Sequence, residues 1–108
     1  MKKTNLGLAV ARSVRIRELY HQLERTKHGS EWSIEEDALA FLTDAGLVGR
    51  LTMARAGRWP QEGGSTPDLE HKLGECIWWL IALSDRLKID IEDALEVFLT
   101  KTEDALDK

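Results

Sequence analysis

Hydrophobic side chains recur every three or four positions in four stretches of this chain, which is the spacing of amphipathic α-helices. In the first two stretches they are Leu6, Val10, Val14, Leu19, Tyr20 and Leu23, then Ile34, Ala38, Phe41, Leu42, Ala45, Val48 and Leu51. In the last two they are Leu69, Leu73, Cys76, Ile77, Leu80 and Ile81, then Ala94, Leu95, Phe98, Leu99, Thr102, Ala105 and Leu106. The pattern predicts an all-α chain of four helices, and each apolar stripe must be buried against something.

Residues at the predicted helix ends support this division. Gly29 suits the left-handed position that follows a helix, and Ser33 with Glu36 forms a capping box for the second helix. Thr66 and Asp90 are the predicted N-caps of the third and fourth helices. The chain has 108 residues, enough for a single domain with one core.

The middle of the chain leaves one point open. Gly46 and Gly49 fall within the second helix, where they permit close approach of another helix, mark a kink, or end the helix near Arg50. Residues 58–65 form the one extended loop, since they contain proline, paired glycines and serine. A loop of this length lets the second and third helices pack antiparallel.

The last two helices carry a sequence that resembles a known family. Residues 73–80 (Leu-Gly-Glu-Cys-Ile-Trp-Trp-Leu), 82–85 (Ala-Leu-Ser-Asp) and 89–95 (Ile-Asp-Ile-Glu-Asp-Ala-Leu) resemble the C-terminal half of MazG-like all-α nucleotide pyrophosphohydrolases. In that family this helix carries Glu-x-x-Asp and an earlier helix carries Glu-Glu-x-x-Glu. The resemblance implies a four-helix bundle-like domain over residues 1–108, completed by oligomerisation. It also implies magnesium-dependent, or manganese-dependent, hydrolysis of nucleoside triphosphates to monophosphate and pyrophosphate.

Two of the family's acidic positions are retained as acids. Glu75 stands at the Asp of Glu-x-x-Asp, whereas Lys72 replaces the Glu, and an ammonium group cannot coordinate a cation. Residues 43–47 align with Glu-Glu-x-x-Glu, so that Asp44 matches the second Glu and Leu47 replaces the last. The departures put a multi-metal site in doubt.

The resemblance implies Asp44 and Glu75 as the catalytic acids that hold magnesium. Glu36, Asp37 and Glu70 are further candidate ligands. Magnesium commonly uses one or two carboxylates together with substrate phosphates, so two acids suffice for a single-ion site.

Four other side chains are candidate substrate contacts, namely Lys72 and Lys101 for phosphate and Trp32 and Trp59 for a base. The structural alternatives are a solvated lysine for Lys72 and a hydrophobic staple before the second helix for Trp32. Trp78 and Trp79 are predicted to pack in the core. A second function class therefore stays open: a catalytically degenerate, oligomeric nucleotide-binding or protein-interaction module of the same fold.

The distribution of charge limits the classes of partner that we expect. Residues 1–30 contain seven Lys or Arg and two acids, whereas residues 31–108 contain eight and 17. No helix-turn-helix signature accompanies the basic segment, which favours a solvated face or an acidic neighbouring subunit over nucleic acid.

Cys76 is the single cysteine, so we expect a reducing, cytoplasmic setting. Arg12 interrupts the N-terminal apolar run, which argues against a signal peptide, and no stretch spans a membrane. We expect a homodimer or homotetramer, because four wide apolar faces exceed what one chain readily hides.

Overall fold

The computed structural model describes residues 2–58 and 66–107, with residues 66 and 67 described through their backbone alone. Four helices follow one another: α1 (Leu6–His28), α2 (Ile34–Arg55), α3 (Thr66–Arg86) and α4 (Ile91–Leu106). The described residues contain no strand, which confirms the all-α class. The predicted cap at Thr66 and nearly all of the predicted loop at 58–65 lie outside what is described.

The predicted helix ends are confirmed where they are described. Gly29 ends α1 with φ of 80°, and its N–H donates to Arg25 O at 3.0 Å. Glu36 N donates to Ser33 Oγ at 3.1 Å, and Ser33 N donates to Glu36 Oε1 at 2.9 Å, so the capping box forms. Asp90 accepts an N–H from the first turn of α4. These local signals place the helices correctly because caps and turns depend on neighbouring residues.

α2 continues through Gly46 and Gly49 to Arg55, which excludes the early end near Arg50. A Cβ atom added at either glycine would meet no described residue within 4 Å. Neither glycine therefore permits a close helix contact among residues 2–58 and 68–107.

α2 and α3 pack antiparallel, as predicted. Asp37, near the start of α2, accepts from Arg86 at the end of α3 at 2.9 Å. Asp44 lies seven residues further along α2, and it pairs with Lys72 near the start of α3 at 3.0 Å. The pairing positions rise along α2 as they fall along α3.

A buried ion-pair network ties α1 to this pair of helices. Asp37 is fully buried, and Arg17 donates to it through Nε at 3.1 Å and Nη2 at 2.8 Å. Arg17 also donates to Glu24 through Nη1 at 3.0 Å, and Glu24 accepts from Trp32 N at 2.8 Å. Burial alone would lower the pKa of Arg17, but the bonds to Asp37 and Glu24 raise it above its usual value. Every charged group in this network is therefore compensated.

The apolar core of the chain is small. Among the described residues, the buried apolar side chains are Leu69, Trp79, Ile81 and Ala82. In the predicted stripe of α3, Leu73 and Ile77 are 48% and 58% exposed. α4 has no buried residue, and Phe98 on its predicted inner face is 62% exposed. Leu69 and Ile81 of the α3 stripe are buried, so the described residues of one chain cover the predicted stripes only in part.

Removing the charge of Asp37 tests the importance of the network. We expect Asp37→Asn to lower the free energy of unfolding by about 3 kcal/mol, because two guanidinium groups would lose their buried carboxylate partner. Urea unfolding followed by circular dichroism measures this change. The exposed Asp104 gives the control, since Asp104→Asn is expected to change stability by less than about 0.5 kcal/mol. Equal stability of the two variants would contradict the assigned role.

Candidate functional site

Two of the predicted acids meet at a lysine between α2 and α3. Lys72 Nζ lies 3.0 Å from Asp44 Oδ1 and 2.9 Å from Glu75 Oε1. Trp79 Nε1 donates to the other oxygen of Asp44 at 2.9 Å. We call these four residues, Asp44, Lys72, Glu75 and Trp79, the Lys72 cluster.

Helix geometry explains why the Lys72 cluster forms. Lys72 and Glu75 are three positions apart and Trp79 follows four positions after Glu75, so all three share one face of α3. The antiparallel packing of α2 brings Asp44 against that face. Hydrogen bonds to Glu75 and Asp44 hold the pKa of Lys72 above its usual value, so the ammonium stays charged at neutral pH. The cluster thus has its own cation.

Two cavities lie on either side of the cluster. The aromatic cavity, of about 550 Å³, is lined by Trp32, Glu36, Leu39, Ala40, Thr43, Asp44, Glu75 and Trp79. The basic cavity, of about 270 Å³, is lined by Leu47, Arg50, Leu51, Asp68, His71 and Lys72. Asp44 and Glu75 therefore face the aromatic side, whereas Lys72 faces the basic side.

Several predicted site residues come together here. Asp44 and Glu75 converge, Lys72 joins them, and Trp32 lies in the wall of the aromatic cavity with 38% of its surface exposed. Glu36 lines the same cavity, although its carboxylate accepts the backbone N–H that closes the capping box.

Other predicted site residues lie elsewhere. The carboxylate of Asp37 accepts from the guanidinium groups of Arg17 and Arg86. Glu70 is exposed and lines a third cavity, of about 410 Å³, between α1 and α3. Lys101 is exposed on α4, and no described residue of α4 lines the aromatic or basic cavity. Trp59 lies outside the described residues.

The geometry of the Lys72 cluster does not fit a magnesium ion as it stands. The ammonium of Lys72 sits between the two carboxylates that the resemblance assigns to the metal, and its charge opposes a second cation there. Over residues 2–58 and 66–107, no group of three or more His, Cys, Asp or Glu side chains could hold a metal ion. A divalent ion would have to displace the lysine before it could reach both acids.

Trp79 has a larger role than the sequence analysis predicted. It is only 6% exposed, as expected of a core residue, yet its indole N–H orients Asp44 and its ring lines the aromatic cavity. The guanidinium of Arg17 lies 5.6 Å from its ring centroid, a cation–π contact that also links the cluster to the buried network. The sequence signal for this placement is that Trp79 lies four residues after Glu75, which puts both side chains on the same face of α3.

Comparison with protein-family models, curated proteins and solved structures gave no significant match. In the described part of the chain, no helix combines the length and apolar character that crossing a membrane requires. No matching protein therefore indicates what this site does, and its chemistry has to be inferred from the positions of its side chains.

Cys76 reports on the charges of the Lys72 cluster. Burial raises the pKa of its thiol, the negative charges of Asp44 and Glu75 raise it further, and Lys72 opposes them. We expect Lys72→Met to raise this pKa and Glu75→Gln to lower it. Alkylation of the single cysteine, measured below the thiol pKa, should become roughly two- to fivefold slower in the first variant and faster in the second.

The pH–rate profile of the same reaction separates a change in the thiol pKa from a change in steric access, because steric access alone alters the plateau rate and leaves the midpoint in place. Lys27→Met, at the end of α1, provides the control and should leave the profile unchanged. Identical midpoints in wild type and Lys72→Met would contradict the proposed electrostatic coupling.

Proposed function

We propose that this chain is a catalytically degenerate MazG-like module that binds a nucleotide between α2 and α3. The observation that carries the proposal is the position of Lys72 Nζ, within 3.0 Å of both Asp44 and Glu75. The family resemblance assigns a divalent ion to these two acids. Here a covalently attached ammonium group compensates them instead, which removes the need for a metal and the means of activating water with one.

The two cavities support a nucleotide as the ligand. Trp32, which is 38% exposed, provides an indole in the wall of the aromatic cavity on which a base can stack. Arg50 and Lys72 line the basic cavity together with Asp68, so a phosphate group there has two cationic side chains and one carboxylate as neighbours. A nucleotide is long enough to place its base and its phosphates in different cavities.

Lys72 can contact a phosphate without leaving its acids. An ammonium group has three N–H donors, and among the described residues two of them are taken, by Asp44 and Glu75. The third N–H is free for a phosphate oxygen. Because the two carboxylates share this one positive charge, we expect weak binding that favours nucleotides with fewer phosphates.

A magnesium-dependent nucleoside triphosphate pyrophosphohydrolase is the second candidate. One observation favours it: the carboxylates of Asp44 and Glu75 approach a common point, as two ligands of one ion must. It requires the ammonium of Lys72 to move away when the metal enters. Pyrophosphate release by the wild-type chain with magnesium or manganese would support this candidate over the first.

The module is proposed to work as a homodimer or homotetramer. Few of the described apolar side chains are buried within one chain, and none of the described residues of α4 is buried. A cytoplasmic location is the setting we propose for it, since its single thiol, Cys76, requires no oxidising compartment.

Binding is tested by calorimetric titration with nucleoside mono-, di- and triphosphates in the presence of a chelator. We expect wild type to bind and Trp32→Ala to bind about tenfold more weakly, because one stacked base contributes about 1–3 kcal/mol. Trp32→Phe keeps an aromatic face and should restore most of the affinity. No heat of binding with any nucleotide, or equal affinity of the alanine variant, would contradict the proposed cavity.

Restoring the family's acids tests the proposed reason for the loss of hydrolysis. Leu47 lines the basic cavity together with Lys72, whose ammonium lies within 3.0 Å of Asp44 and Glu75, so Leu47→Glu with Lys72→Glu would add two carboxylates beside those two. We expect this double variant to gain magnesium binding by calorimetry and pyrophosphate release from a triphosphate, because magnesium prefers several carboxylate oxygens.

The matched control, Leu47→Gln with Lys72→Gln, removes the ammonium without adding carboxylates and should gain neither property. A folded Glu variant that binds no magnesium would argue against the inherited metal geometry. Activity in wild type that Glu75→Gln leaves unchanged would exclude the Lys72 cluster as the site of hydrolysis.

A further inference from the structure

α1 buries polar side chains against the protein and leaves several large apolar side chains exposed on its opposite face. The buried residues of α1 are Ser13, Arg17 and His21. Its large apolar residues on the opposite face are about half exposed, namely Leu8 at 53%, Ile16 at 41%, Leu19 at 47% and Leu23 at 51%. These four residues share one helical face, which we call the α1 stripe. An apolar face directed away from the chain's own core indicates that something else covers it.

Basic side chains accompany the α1 stripe. Arg12 falls within it by helical spacing, and Arg15 lies at its edge. Neither arginine has an ion-pair partner within residues 2–58 or 66–107. The partner of this stripe should therefore be apolar with an acidic edge.

α4 has that character. Leu95, Phe98, Leu99 and Leu106, the α4 stripe, are between 43% and 79% exposed. Glu92, Glu96 and Glu103 follow one edge of it, at spacings of four and seven residues. None of these three carboxylates forms an ion pair with any residue that the structure describes.

We propose that the α1 stripe of one copy packs on the α4 stripe of a second copy, with Arg12 and Arg15 against the acidic edge. The arrangement is isologous: each copy contributes one α1 and one α4, so a two-fold axis produces the contact twice. This inference rests on the homo-oligomer proposed above and names the surfaces that form it. It does not depend on nucleotide binding.

The exposed area fits such an interface. The chain exposes 8349 Å², whereas a compact monomer of 12.2 kDa exposes about 6,000 Å². The radius of gyration is 16.6 Å, against about 13 Å for a compact chain of 100 residues. The excess area is more than the roughly 800 Å² that each partner contributes to an interface of standard size.

The two stripes begin near each other, which favours a second copy over an unrelated partner. A Cβ atom at Gly7, near the start of α1, would lie 3.7 Å from a carboxylate oxygen of Glu92, near the start of α4. Val10 and Ile91 line one cavity at the same end of the molecule. α1 and α4 thus begin at the same end of one chain, where a two-fold axis can bring both helices of one copy against both helices of another.

Charge reversal tests the pairing. Arg12→Glu with Arg15→Glu, and separately Glu96→Lys with Glu103→Lys, should each raise the dissociation constant for self-association at least roughly tenfold, because like charges then face each other. All four substitutions in one chain should restore self-association. An equimolar mixture of the two double variants should also associate, since both contacts then join opposite charges. Sedimentation velocity at low salt measures each case, and circular dichroism verifies that the variants fold.

Asp93→Lys with Asp104→Lys provides the matched control, because it makes the same charge change on the face of α4 opposite the stripe. This control should associate as wild type does. A wild-type mass of one chain at micromolar concentration would overturn the homo-oligomer itself. A wild-type oligomer that both reversals leave intact, or that the control disrupts equally, would overturn the α1–α4 pairing alone.

Discussion

The arrangement of the first three helices depends on Asp37, a carboxylate with no exposure that receives hydrogen bonds from Arg17 of α1 and Arg86 of α3. Replacing a buried ion pair by apolar groups is often neutral or stabilising, so this network is not distinguished by its contribution to net stability. It is distinguished by the directionality of its hydrogen bonds. Two guanidinium groups and one carboxylate satisfy one another only in a particular alignment of the helices, and the alignment then brings Asp44 of α2 against Lys72 of α3.

This polar interior has a consequence for the surface. A helix has room for one buried face, and α1 uses that face for Ser13, Arg17 and His21. Leu8, Leu19 and Leu23 are left on the outside, and the short α4 adds a second exposed stripe. Because the hydrophobic effect is the dominant favourable term in folding, the homo-oligomer proposed above would gain much of its stability by covering these stripes. The ion-pair network and the proposed interface are thus two results of the same helix orientation.

The sequence predicted what local signals determine and missed what tertiary orientation determines. The capping box at Ser33 and the left-handed Gly29 depend on residues a few positions apart, so both were predictable. The burial of Asp37 was not, because a carboxylate in the first turn of a helix is usually solvated and its partners lie 20 and 49 positions away in the chain. The meeting of Asp44 with Glu75 was anticipated through family resemblance and antiparallel packing, but the insertion of Lys72 between them needed coordinates.

In the function proposed above, the Lys72 cluster is a site that one substitution has altered without altering the fold around it. An ammonium and a hydrated divalent ion both neutralise carboxylates, so the helices can keep their packing when one replaces the other. They differ in how they interact with a substrate. The ammonium only donates hydrogen bonds, here with Nζ 2.9 and 3.0 Å from its two acceptors, and it cannot coordinate a ligand. A metal ion binds substrate oxygens at about 2.0–2.1 Å and lowers the pKa of bound water. In the function proposed above, a site compensated by lysine keeps the cavities that bind the nucleotide and lacks the open coordination position that hydrolysis requires.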